Sequence, residues 1–185
     1  MTSFVYYVAS SIDGRIADPD DSLQWLFDVV SPEAPDIGSF MSVVGVQVMG
    51  SRTYEWLLRN ESLLEQPHRW QEFFGAMPTK VLSSRVLPVP LGADVEVLSG
   101  PVGNHLEHIV AAAHGTDVWI VGGGEVAGQF LDAGALDRIE LTVAPAVLGE
   151  GAPLLPRFIP PARLRLDAVE RIGEFACLTY VVVPG

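Results

Sequence analysis

Strand-like apolar runs alternate with helical segments through the first three quarters of the 185-residue chain, and the last quarter carries strands alone. No other feature narrows the fold as much, because such alternation implies a mostly parallel sheet with helices on its faces. The strands are read at Phe4–Ala9, Gln47–Met49, Thr79–Leu82, Val95–Leu98, Asp117–Val121, Ile139–Ala144, Leu164–Arg171 and Ala176–Val183. Helical spacing covers Ser22–Val29, Phe40–Val44, Ser51–Leu58, Pro67–Phe74 and Glu125–Leu131. A further helix carries Leu106, Ile109, Val110 and Ala113 after a capping box at Asn104–Glu107, and Ser51 is expected to cap the helix that it opens. The last two strands, joined through Gly173, read as an antiparallel hairpin added to one edge. The expectation is an α/β fold, a mixed sheet of about eight strands in one domain over residues 1–185. With 49% apolar and 18% charged residues, a buried core is expected rather than disorder.

Charge sets limits on partners. Eleven Lys and Arg against 23 Asp and Glu leave a net charge of -12, which repels nucleic-acid backbones and anionic lipid surfaces at long range. A small anionic ligand is still compatible, held by a few local arginines and backbone N–H groups. The single cysteine, Cys177, excludes an internal disulfide and reads as a core-filling residue. The first residues lack a basic region followed by a long apolar stretch, and no window approaches the ~20 apolar residues of a membrane span. A cytoplasmic protein is expected. His105 and His108 are three residues apart without a third ligand nearby, so no metal site is expected, and Lys80, the only lysine, reads as an edge-strand residue.

Ligands of open α/β sheets bind beyond the carboxyl ends of parallel strands, where helix N-termini expose unpaired N–H groups. Three such ends here carry suitable residues. Gly50-Ser51-Arg52-Thr53 combines a glycine, two hydroxyls and a guanidinium; Ser83-Ser84-Arg85 repeats the hydroxyls and the cation; Gly122-Gly123-Gly124 leads through Glu125 and Val126 into a helix.

In this order the segments resemble the dihydrofolate-reductase-like superfamily, and more closely the C-terminal reductase domain of the bifunctional riboflavin-biosynthesis deaminase/reductase. The resemblance spans nearly the whole chain. It rests on Ser11-Ile-Asp-Gly-Arg-Ile-Ala17, Met49-Gly-Ser-Arg-Thr-Tyr-Glu55, Ser83-Ser84-Arg85, Gly122–Gly124 and Ala144-Pro-Ala-Val-Leu-Gly-Glu-Gly151. It implies NADPH extended across the sheet, with its pyrophosphate at Gly122–Gly124 and the following helix. Ser51, Arg52 and Thr53 would cap the pyrophosphate and adenosine side, and Ser83, Ser84 and Arg85 would lie near the 2′-phosphate. The family often has Arg directly after the glycine, where this chain has Ser51.

On the substrate side, folate-reducing members carry a carboxylate where this chain has Ser22, with Asp21 one residue earlier; about 100° of helix rotation separates the two, so dihydrofolate reduction is not expected. Asp13, on a loop over the nicotinamide, or else water is the expected proton source, and Trp25 is a candidate pocket residue. Arg15 is the only basic residue of the opening segment that is available to a ribosyl phosphate. The resemblance also implies a homodimer, with the C-terminal strands and residues 153–161 as the contact. Two alternatives stay open. Gly122-x-Gly124-x-x-Ala127 satisfies a dinucleotide-binding fingerprint, with Glu140 16 residues beyond Gly124 as its ribose acid, which would give an NAD(H)-dependent Rossmann-type oxidoreductase. The other is a non-catalytic oligomeric binding protein of the same fold.

Overall fold

The computed structural model describes residues 2–185. In chain order its elements are β1 (Phe4–Ser10), β2 (Arg15–Ala17), α1 (Gln24–Phe27), α2 (Ile37–Met41), β3 (Val44–Gly50), α3 (Ser51–Asn60), α4 (His68–Phe74), β4 (Thr79–Leu82) and β5 (Val95–Leu98). There follow α5 (Leu106–Ala112), β6 (Asp117–Gly122), α6 (Gly124–Asp132), β7 (Leu136–Val143), β8 (Ala152–Pro153), β9 (Leu164–Ile172) and β10 (Phe175–Val182). Eight strands form one sheet in the order β5-β4-β3-β6-β1-β7-β10-β9, and β2 pairs separately with β8. From β5 to β7 every neighbouring pair is parallel. β10 runs antiparallel to β7, and β9 to β10, so the expected hairpin closes one edge.

Period-two alternation sorts the central strands between two cores. Tyr6, Val8, Val46, Val48 and Ile120 face α5 and α6, packing with Ile109, Val126, Phe130 and Leu131. On the opposite side Met49 and Val81 meet Tyr54 and Leu58 of α3 and Trp70 of α4. Beside them, Val5 packs with Phe40 and Trp119. Burying each of these large apolar side chains is worth about 1.5–3 kcal/mol, which is why the helices sit where they do.

Several local expectations change. The first helix shrinks from Ser22–Val29 to Gln24–Phe27, because Asp18 accepts the amides of Asp20 and Ser22 and Asp21 adopts φ +58°, holding a turn where the helix was expected. The second runs over Ile37–Met41 instead of Phe40–Val44, started by the Asp36 carboxylate on the Gly38 amide, and Val44 already belongs to β3. Ser51 is the first residue of α3 and not its cap; that place falls to Gly50, which has no side chain to cap with. The box at Asn104 is not formed either, since Val102–Asn104 turns as a 3₁₀ segment and His105 precedes α5 without a side-chain cap. Lys80 lies one strand in from the edge, 7% exposed, with Nζ 2.6 Å from Glu96 of β5. Cys177 is half-buried, with Sγ 3.9 Å from Thr142 Oγ1, and burial pushes its thiol pKa up.

Candidate functional site

β4, β3 and β6 are consecutive in the sheet and parallel, so their carboxyl ends emerge side by side. Gly50 lies opposite Leu82, and Met49 opposite Gly122. The three sequence-predicted segments that follow these strands therefore share one edge, with α3 and α6 both starting at it. The first N–H groups of each helix have no acceptor within the helix and carry the positive end of its dipole, which suits that edge to an anion.

Contacts tie the segments together. Arg85 donates to Ser51 Oγ at 3.2 Å and, in a two-pronged pair, to Glu55 at 2.7 and 2.9 Å. Its own amide donates to Ser83 Oγ at 3.0 Å. The hydrogen bonds from Arg85, and next its charge, hold the Glu55 carboxyl below the usual glutamate range. Arg52 is 79% exposed, with Nε 4.0 Å from Asp21, while Thr53 and Ser84 complete the polar rim.

Each glycine of the turn has its own reason. Gly122 has φ +154°, and a Cβ there would sit 3.5 Å from Thr53 Oγ1. Gly124 starts α6 against backbone, where a Cβ would strike the carbonyls of Pro153 and Leu154. Gly123 differs: a Cβ would meet nothing closer than Ile16 Cδ1, at 3.9 Å. Its missing side chain therefore leaves open space, bordered by the opening segment. On the inner side, Val126 is buried and approaches Gly50 so closely that a Cβ at Gly50 would come within 3.0 Å of it. The carboxylate of Glu125 is bound by Arg157 at 2.7 and 3.0 Å. Of these two sequence candidates, then, neither side chain is free for a ligand, and only their backbone stands at the helix start.

The opening segment is fastened to residues 144–154. Ile12 donates to the Ala146 carbonyl, Leu154 to that of Gly14, and β2 pairs with β8. Asp13 accepts the Ser11 hydroxyl at 2.7 Å and the amides of Leu148 and Gly149 at 3.0 and 2.7 Å. These bonds, that from Ser11 foremost, hold its carboxyl at a pKa of about 2. Such a group has no proton to give near neutrality, so the geometry makes Asp13 a loop fastener where the sequence suggested a proton source. Arg15 is likewise committed, donating to the Gly151 and Gly149 carbonyls at 3.2 and 3.4 Å rather than standing free for a phosphate.

Beside this edge, a cavity of about 320 Å³ separates the segment before and within α1 from α3. Asp21 and Ser22 line it, together with Phe27, Trp56 and Arg59, three residues that sequence reasoning missed. The spacing of Trp56 and Arg59, about one helical turn apart on α3, was the available signal. Trp25 is not among the lining residues; its indole Nε1 is buried without a hydrogen-bond partner. Glu140, the ribose acid of the Rossmann alternative, lies within β7, 2.7 Å from Arg138, and the strand order is not that of a Rossmann sheet. That alternative is set aside. Among the described residues no group of three or more His, Cys, Asp or Glu is placed to hold a metal, and no helix is long and apolar enough to cross a membrane.

A family model described as the RibD C-terminal domain matches residues 3–178. The chain is 27% identical over 177 residues to the uncharacterized protein YwjB of Bacillus subtilis, covering 96% of both. It is 28% identical over 184 residues to riboflavin biosynthesis protein RibD of Mycobacterium tuberculosis, with 94% of this chain aligned to 52% of that protein. The chain thus spans about half the length of that relative. Among solved structures, a Shewanella sp. PV-4 protein provisionally assigned to riboflavin biosynthesis superposes with a TM-score of 0.80 at 26% identity, over 98% of this chain and 99% of that one.

Proposed function

We propose, from the premise that this chain belongs to the RibD C-terminal domain family, that it is an NADPH-dependent reductase. It reduces an electron-poor C=N or C=O bond in a small substrate other than dihydrofolate, and it works in the cytoplasm. The observation that carries the reading is the adjacency of the β4, β3 and β6 carboxyl ends, which brings Gly50–Thr53, Ser83–Arg85 and Gly122–Gly124 to one edge. The residues fit such a cofactor: Gly123 leaves the space that a side chain would fill, and two helices begin there.

When bound, the nicotinamide supplies a hydride from C4; that chemistry belongs to the cofactor. The chain binds and orients. The first amides of α6, with the Ser51 and Thr53 hydroxyls, face the pyrophosphate, and Arg52, Ser83, Ser84 and Arg85 face the adenosine end. Asp13 holds the opening segment over the cleft by its bonds to residues 148 and 149. Asp21, 4.0 Å from Arg52, and Ser22 line the cavity beside α3 on the adenosine side of the cleft, away from the reacting ring. Water delivers the proton, because the Asp13 carboxylate is taken up by Ser11, Leu148 and Gly149.

The reading extends to a homodimer through the outer part of the sheet. β9 is the terminal strand, Leu166 and Val169 are exposed on it, and Phe158 is exposed nearby in sequence. Sedimentation equilibrium at micromolar protein tests this; a mass of one chain contradicts it. The cofactor reading is tested by titrating the protein with NADPH and following cofactor fluorescence. Saturable binding that Gly123→Val removes is expected, and binding that Gly123→Val leaves unchanged contradicts it.

A further inference from the structure

Glu55 stands one helical turn after Ser51 on α3, on the flank that faces the Ser83–Arg85 loop. Its two carboxylate oxygens take both terminal nitrogens of Arg85, which also reaches Ser51. Arg85 is 58% and Glu55 29% exposed, so the pair is open to a ligand arriving at the edge. The other arginine of this edge, Arg52, has Asp21 beside it. Of the cations available to a phosphate at the adenosine end, Arg85 is therefore already matched by Glu55, while Arg52 has an acid 4.0 Å away, in a chain of net charge -12.

We infer that Glu55, through its two-pronged hold on Arg85 beside Ser51, sets the choice between NADPH and NADH and makes it a weak one. The inference rests on the cleft proposed above. A 2′-phosphate that reaches Arg85 competes with Glu55 for the same two N–H groups and lies next to its negative charge. A 2′-hydroxyl meets no such repulsion, and a carboxylate is a suitable acceptor for it. The unfavourable contribution falls on the phosphate alone, so NADPH loses most of the advantage that Arg85 would otherwise give it.

The experiment is fluorescence titration of wild-type protein, Glu55→Gln and Arg85→Gln with NADPH and with NADH, each variant first checked by circular dichroism and melting. Wild type should bind the two dinucleotides within about tenfold of each other. Removing the charge of Glu55 while keeping its shape should tighten NADPH by about tenfold and leave NADH unchanged or weaker, the scale of one charge-assisted hydrogen bond at a partly exposed site. Arg85→Gln should weaken NADPH alone. An NADPH-to-NADH ratio that is the same in wild type and Glu55→Gln overturns the inference, and Glu55→Ala supplies the same ratio if the glutamine variant does not fold. Wild type that binds neither dinucleotide overturns the cleft itself, a result read without any variant.

Discussion

The Asp13 carboxylate accepts the amide of Gly149 at 2.7 Å, joining the first loop of the chain to a segment 136 residues later. Because the Ser11 hydroxyl and the amides of Leu148 and Gly149 hold this carboxyl at about 2, below its ordinary value, the tie is complete above about pH 4. It weakens as pH falls toward 2. Amide exchange at Leu148 and Gly149, corrected for intrinsic rates, should rise over that interval while the β1 and β6 amides stay protected. Asp13→Asn should raise it at neutral pH, and unchanged exchange in that variant would refute the fastening role.

Adjacent glycines should respond differently to the same methyl group. Gly124→Ala places a Cβ against the Pro153 and Leu154 carbonyls, so overpacking should cost about 1–3 kcal/mol of stability. Gly123 has φ -81° and ψ -177°, a backbone open to any residue, and space beyond it. Gly123→Ala should melt near wild type yet bind NADPH more weakly. Equal melting temperatures for the two variants would contradict these packing assignments.

Tyr54 is fully buried, packs edge-on against Trp70 and donates its hydroxyl to the Pro88 carbonyl at 2.8 Å. Tyr54→Phe keeps the ring and leaves that carbonyl without its donor, which should cost about 1 kcal/mol in urea unfolding. A loss under a few tenths would mean that solvent replaces the bond.

Much of this organisation is legible in the residues. The run Val118–Val121 is continuous and apolar because β6 lies in the middle of the sheet, and such a run stands out without knowledge of tertiary structure; β3 and β4, with Gln47, Thr79 and Lys80 buried in them, are less plain. Gly173 and the strands around it announce a hairpin. The less legible features depend on partners far away in the chain. Arg15–Ala17 becomes a strand only because Ala152 and Pro153 lie beside it, and Glu125 reads as a ligand residue until Arg157 arrives from 32 positions later. Asp13 shows the same limit: its type suggests acid chemistry, whereas two amides more than 130 residues away fix it as an anion. Glu55 lies inside a recognised motif, but its place opposite Arg85 follows from the β3–β4 pairing.

Dihydrofolate should be a poor substrate. Ser22 stands where folate reducers carry a carboxylate, and its hydroxyl accepts the Gln24 amide at 3.1 Å; Asp21 lines the same cavity from a turn before α1, not from the expected helix, and lies 4.0 Å from Arg52. With saturating NADPH, oxidation of the cofactor should not rise when dihydrofolate is added. Turnover near the ~10 s⁻¹ typical of enzymes would show that another group protonates the pterin.

Hydrogen–deuterium exchange with and without NADPH bears most directly on the shared cleft. Bound cofactor should slow exchange together at residues 50–53, 83–85 and 122–126, which three separate parts of the sequence contribute. Protection confined to one of these segments, or appearing on the β9–β10 hairpin instead, would contradict the account.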